Sequence, residues 1–136
     1  MHLKKTIAGL TAVIISMVFF GSCSLDTKTV EPYLIQVDSI MAPDTVTPKT
    51  VFEIRLYGIV GPSSCYSLEK VYCFVTEQKD ITVEVRGTYR YEGIACADGV
   101  VYLDTKVETN VPTSGIYTIK VLLQDNTFME KKLVGR

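Results

Sequence analysis

Cysteine is the residue type best placed to do chemistry in this 136-residue chain: Cys23 near the N-terminus, then Cys65, Cys73 and Cys96. A thiol can take lipid, form a disulfide, ligate a metal or act as a nucleophile, and its surroundings choose among these. No two of the four have the Cys-x-x-Cys spacing of a redox or zinc motif. The only histidine is His2. Ser-His-Asp and Cys-His catalysis therefore have no base further along the chain, and a histidine metal site has no ligands there. Tryptophan is absent, which removes the commonest platform for sugar stacking and leaves tyrosine as a substitute. Asp98 and Asp104 lack the dense acidic spacing of a calcium loop. The expectation is a protein that is not an enzyme and carries neither metal nor cofactor.

The stretch around Cys23 gives the chain its address. Lys4 and Lys5 precede an apolar run from Ile7 to Phe20 broken only by Thr11 and Ser16, and Gly21-Ser22 stands just before the cysteine. A basic start, an apolar segment of about 14 residues and small residues before a cut make a secretory signal. With cysteine directly after the small pair, Phe19-Phe20-Gly21-Ser22-Cys23 resembles the lipobox of bacterial lipoproteins. The commonest form of that motif has Leu where Phe20 stands, and Gly or Ala where Ser22 stands. The resemblance implies that residues 1–22 are a removed signal peptide and that Cys23 carries lipid. Ser24 following it resembles the pattern of lipoproteins sent on to the outer membrane, with the domain facing the periplasm or the cell surface. An ordinary cleaved signal and an uncleaved helix are the alternatives, and the helix is short of the ~20 apolar residues a span needs.

Removal of that signal leaves roughly 114 residues, the size of one domain. The 14 basic residues less Lys4 and Lys5 leave 12 against 15 acidic, a formal charge of −3. Lys131-Lys132 is the only basic pair left, which argues against nucleic acid. Residues 23–32 are polar and without periodicity, and read as the lipidated cysteine and a tether reaching up to ~30 Å from the bilayer.

From 33 to 136 the pattern is all-β. Short β-branched and aromatic runs separated by turn residues predict an antiparallel β-sandwich of about seven strands. The runs are Tyr33–Met41, Thr50–Val60, Leu68–Thr76, Ile81–Tyr91, Val100–Glu108, Ile116–Leu123 and Thr127–Val134. In the second, Phe52, Ile54 and Leu56 alternate with Glu53 and Arg55, a strand with one wet face. The third is nearly all apolar and reads as a central strand covered on both faces. Gly87 inside the fourth suggests a bulge, and Tyr89 and Tyr91 beyond it read as core or rim packing. In Pro112-Thr113-Ser114-Gly115-Ile116-Tyr117, a tyrosine follows a Pro/Gly turn at a strand start. This resembles the penultimate strand of immunoglobulin-like domains and implies that its hydroxyl bonds back to the connection before it.

An oxidising compartment favours pairing of the remaining cysteines, and three leave one over. Cys65 and Cys73 lie on one extended run, ~25 Å apart; a disulfide needs Cα atoms under about 7 Å apart. Cys65 lies between the second and third strands and Cys96 between the fourth and fifth, connections that emerge at the same end of such a sandwich. Cys65–Cys96 is the predicted bridge and Cys73 a buried small hydrophobe. Tyr66, Asp98, Asp125 and Asn126 would stand on loops gathered at that end and form a binding surface stiffened by the bridge. The function expected is a lipid-anchored, non-catalytic binding or structural module for an envelope protein or glycan. An inhibitor of a hydrolase such as a lysozyme or protease is the second reading, because a stiff loop end can plug a cleft.

Overall fold

The computed structural model describes residues 28–136; the expected signal peptide, Cys23 and the expected tether up to residue 27 lie outside the described residues. Among the described residues there is no helix, and nine strands follow one another: β1 (Thr29–Leu34), β2 (Gln36–Met41), β3 (Thr45–Val46), β4 (Phe52–Ser63), β5 (Tyr66–Val75), β6 (Asp80–Tyr91), β7 (Asp98–Thr109), β8 (Gly115–Leu122) and β9 (Phe128–Gly135). They form a β-sandwich. One sheet has the order β2-β4-β7. The other runs β3-β9-β8-β6, with β5 along one edge of β6. On the opposite edge β8 pairs with residues 80–83 of β6 and β1 with residues 86–91.

The alternation read from the sequence builds the interior. Ile54 and Leu56 of β4, Ile81, Val83 and Val85 of β6, and Tyr117, Ile119 and Val121 of β8 are fully buried, with Ile35, Val37, Val111 and Leu133 completing the centre. Successive side chains of a strand point to opposite faces, so these period-2 runs supply one shared core from two sheets.

Four expectations are corrected. The strands number nine rather than seven, because Tyr33–Met41 divides into β1 and β2, which pair with β6 and β4 in different sheets, and Thr45–Val46 adds a short strand. Thr29–Pro32 is not tether but the first part of β1, held in register against Thr88–Tyr91. The apolar third run is an edge strand. β5 pairs only with β6, and its outward Tyr72 and Phe74 are 42 % and 49 % exposed. Lys70 and Arg86 lie over the Tyr72 ring at 4.8 and 5.8 Å, a partial cover that cation–π attraction supports. Two pairings are parallel, β3 with β9 and β6 with β8, so the sandwich is mixed rather than wholly antiparallel.

Tyr117 does what the immunoglobulin-like resemblance implies. Its hydroxyl donates to the Thr113 carbonyl at 3.0 Å and lies 3.1 Å from the Thr113 hydroxyl, closing the connection from β7 onto the start of β8. The ring is buried and the hydroxyl satisfied, so Tyr117→Phe is expected to lower unfolding stability by about 1 kcal/mol in a denaturant titration. An unchanged midpoint would show that the bond contributes nothing.

Candidate functional site: a tyrosine-lined mouth beside the disulfide

Cys65 and Cys96 are joined, with Cα atoms 5.4 Å apart. The bridge ties the β4–β5 turn to the segment between β6 and β7. Ser64 reinforces it: its N–H donates to the Ala97 carbonyl at 3.0 Å, and its hydroxyl accepts from the Ala97 N–H at 2.9 Å. Cys73 is unpaired and half-buried, and burial pushes its thiol pKa up against a smaller opposing hydrogen bond with Thr109. A raised pKa keeps the thiol protonated near neutral pH, so it reacts slowly.

Next to the bridge, inward-facing positions of three strands of the larger sheet converge. Tyr66 of β5 pairs with Tyr89 of β6, and Tyr89 pairs with Glu31 of β1, so the three form one row across the sheet. Neighbouring strands lie about 4.8 Å apart, which accounts for the 4.9 Å between the Tyr66 and Tyr89 ring centroids. One step deeper, Tyr33 pairs with Gly87. Its ring stands edge-on to Tyr66, with centroids 5.6 Å apart and planes at 83°.

Two glycines make this possible. A Cβ on Gly87 would lie 2.6 Å from Tyr33 Cζ, and one on Gly61 would overlap the Tyr66 ring. Neither glycine has a positive φ, so space rather than backbone conformation requires them. The Tyr33 hydroxyl donates to the Val60 carbonyl at 2.6 Å, fixing the ring against the opposite sheet. Burial, and then the neighbouring Tyr66, raise the Tyr33 pKa, so its hydroxyl stays a donor at neutral pH. The result is a cavity of about 330 Å³ lined by Glu31, Pro32, Tyr33, Tyr66 and Tyr89. Across the bridge lies a second hollow of about 320 Å³, bordered by Cys65, Arg90, Glu92 and Ile94 among others.

The cysteine pair and Tyr66 come together at this end as the sequence predicts, although Tyr66 is the first residue of β5 rather than a loop residue. Asp98 is also there, opening β7 opposite Ser63. Asp125 and Asn126 do not join them. Asp125 accepts hydrogen bonds from the Thr127 N–H at 3.0 Å and the Thr127 hydroxyl at 2.6 Å, which hold its carboxyl below the usual carboxylate range. Asn126 takes φ 62° in the same β8–β9 turn. That turn meets β1 at Leu34, where Gln124 donates to the carbonyl at 2.8 Å. Both residues shape a turn and neither lines the cavity.

Glu31, Tyr33 and Tyr89 are the site residues the sequence did not reveal. Glu31 lies in the expected tether, Tyr33 only opens the first run, and Tyr89 reads as core or rim packing. The odd parity of Val83, Val85, Gly87 and Tyr89 was the available signal, since it keeps Tyr89 on the inner face past the end of the core. Among the described residues, no three His, Cys, Asp or Glu side chains gather to hold a metal ion. Comparison with known protein families, with curated proteins and with solved structures gives no match.

Proposed function

We propose that this chain is a lipid-anchored envelope protein whose β-sandwich acts as a non-catalytic recognition module, with the tyrosine-lined mouth as its binding surface. The observation that carries the reading is that mouth. Three tyrosines and Glu31 line a common cavity, on strands held by a disulfide and by the Tyr33 hydrogen bond. Concave, largely apolar sites with a few fixed polar groups are the usual form of ligand pockets. Rings already held in place lose little further freedom on binding. The lipobox-like stretch supports an outer-membrane anchor, and two or three acyl chains make such anchoring firm where a single chain is marginal.

Affinity capture from an envelope extract tests recognition, with wild type compared against Tyr66→Leu. Retention of one envelope protein or glycan by wild type and its loss in the variant are expected. Equal capture by both overturns the assignment of the mouth, and recovery of a lysozyme- or protease-like partner replaces the reading by an inhibitor.

The anchor has its own test. Mass spectrometry of the membrane-extracted protein is expected to find Cys23 at the N-terminus, carrying diacylglycerol and an amide-linked acyl chain. Cys23→Ser is expected to leave an unprocessed precursor. A soluble product starting elsewhere would remove the anchor from the proposal.

A further inference from the structure

We infer that the mouth is a cage for an alkylammonium group, a deepening that rests on reading this cavity as the recognition site. Among the described residues, its only charged lining residue is Glu31, and its other walls are Pro32 and three tyrosines. Glu31 enters none of the ion pairs among the described residues. The two arginines of the neighbouring strand are engaged elsewhere. Arg86 and Arg90 alternate with the inward Gly87 and Tyr89 on β6, so they point to the other face. There they meet Glu84 at 2.9 Å and Glu92 at 3.7 Å.

A cation is attracted to the face of an aromatic ring within about 6 Å of its centroid. With centroids 4.9 and 5.6 Å apart, Tyr66 lies close enough to both Tyr89 and Tyr33 for one cation to reach more than one ring. A carboxylate beside the rings favours a positively charged guest over an apolar one. The Tyr33 hydroxyl is spent on Val60, so that ring offers the guest π-surface rather than a donor. An anionic guest finds no cationic group among the lining residues. The guest chemistry is therefore a trimethylammonium headgroup or a lysine-type amine, the same class from two sources.

The test uses the full chain in a maltoside detergent, with binding measured by calorimetry and saturation-transfer NMR. Choline, Nα-acetyl-lysine methylamide and 3,3-dimethylbutan-1-ol are titrated, the last having the shape of choline without its charge. At least one of the two cations is expected to bind about tenfold more tightly than the neutral isostere, and the better one identifies the source. Glu31→Gln and Tyr89→Leu are each expected to weaken that cation several-fold. Tyr89→Phe, which keeps the ring, is expected to preserve binding and guards against a Leu variant that fails to fold. Tyr102→Leu, on an exposed tyrosine of β7, should change nothing. Failure of both cations to bind more tightly than the isostere, or cation binding indifferent to Glu31→Gln and Tyr89→Leu, overturns the inference. If neither cation binds while Tyr66→Leu still abolishes envelope capture, the cage falls and the recognition reading stands. Cation binding without any envelope partner upholds the cage and overturns that reading.

Discussion

Replacing Cys65 and Cys96 together by alanine is expected to destabilise the domain by about 3–4 kcal/mol, the entropy of closing a loop of this length in the unfolded chain. The two residues are 31 apart in sequence. In a domain of this size the loss corresponds to a fall in melting temperature on the order of 15 °C. The bridge joins two connections that are otherwise hydrogen-bonded through Ser64 and Ala97, so its loss should also free the segment between β6 and β7. Hydrogen exchange in residues 92–97 should then rise more than in β8, whose interior side chains are fully buried. Peptide mapping without reductant should join the Cys65 and Cys96 fragments and leave Cys73 unmodified until the protein unfolds. A melting temperature within a few degrees of wild type would mean that hydrogen bonds and packing alone hold this end. Rapid alkylation of Cys73 in the folded state would contradict its half-buried place and raised pKa.

The bridge was legible because it depended on coarse topology, namely which strand connections share an end, and alternation gives strand order well enough for that. The Tyr117 corner was legible because it is local, a hydroxyl reaching four residues back across a Pro/Gly turn. Pairing partners were not. Hydrophobic period reports which side chains point inward but not which strand lies alongside, so β5 read as central when its Tyr72 and Phe74 face outward at an edge. The same limit hid the division of the first run. Tyr33, Ile35 and Val37 keep one inward parity while the chain leaves β6 for β4, and fully buried Ile35 marks the crossing without breaking the pattern. The cage lies beyond both kinds of signal, because it needs the register that sets Glu31 and Tyr66 on either side of Tyr89.

Gly61→Ala is the substitution that should disturb the cage most at least chemical change, and it is expected to cost about 1–3 kcal/mol, the range for overpacking a filled interior. Gly61 is buried in β4, where the ladder with β7 shifts register on both sides of it. The methyl would overlap Cγ, Cβ and Cδ1 of Tyr66, atoms near the backbone that a rotation at the ring's far end cannot clear. Tyr66 must then swing away, which breaks its contacts with Tyr33 and Tyr89 together. Because the cost comes from that one collision, it should nearly vanish when the whole side chain, Cβ included, is gone. In a Tyr66→Gly background, adding Gly61→Ala is expected to change stability by less than about 0.5 kcal/mol, giving a coupling well above the error of an additive pair. Chemical denaturation of the four proteins measures this directly. Additive costs would place the methyl against backbone instead and free Tyr66 from its dependence on Gly61. A large coupling with intact stability elsewhere would show that a glycine in the smaller sheet sets the position of a ring in the larger one.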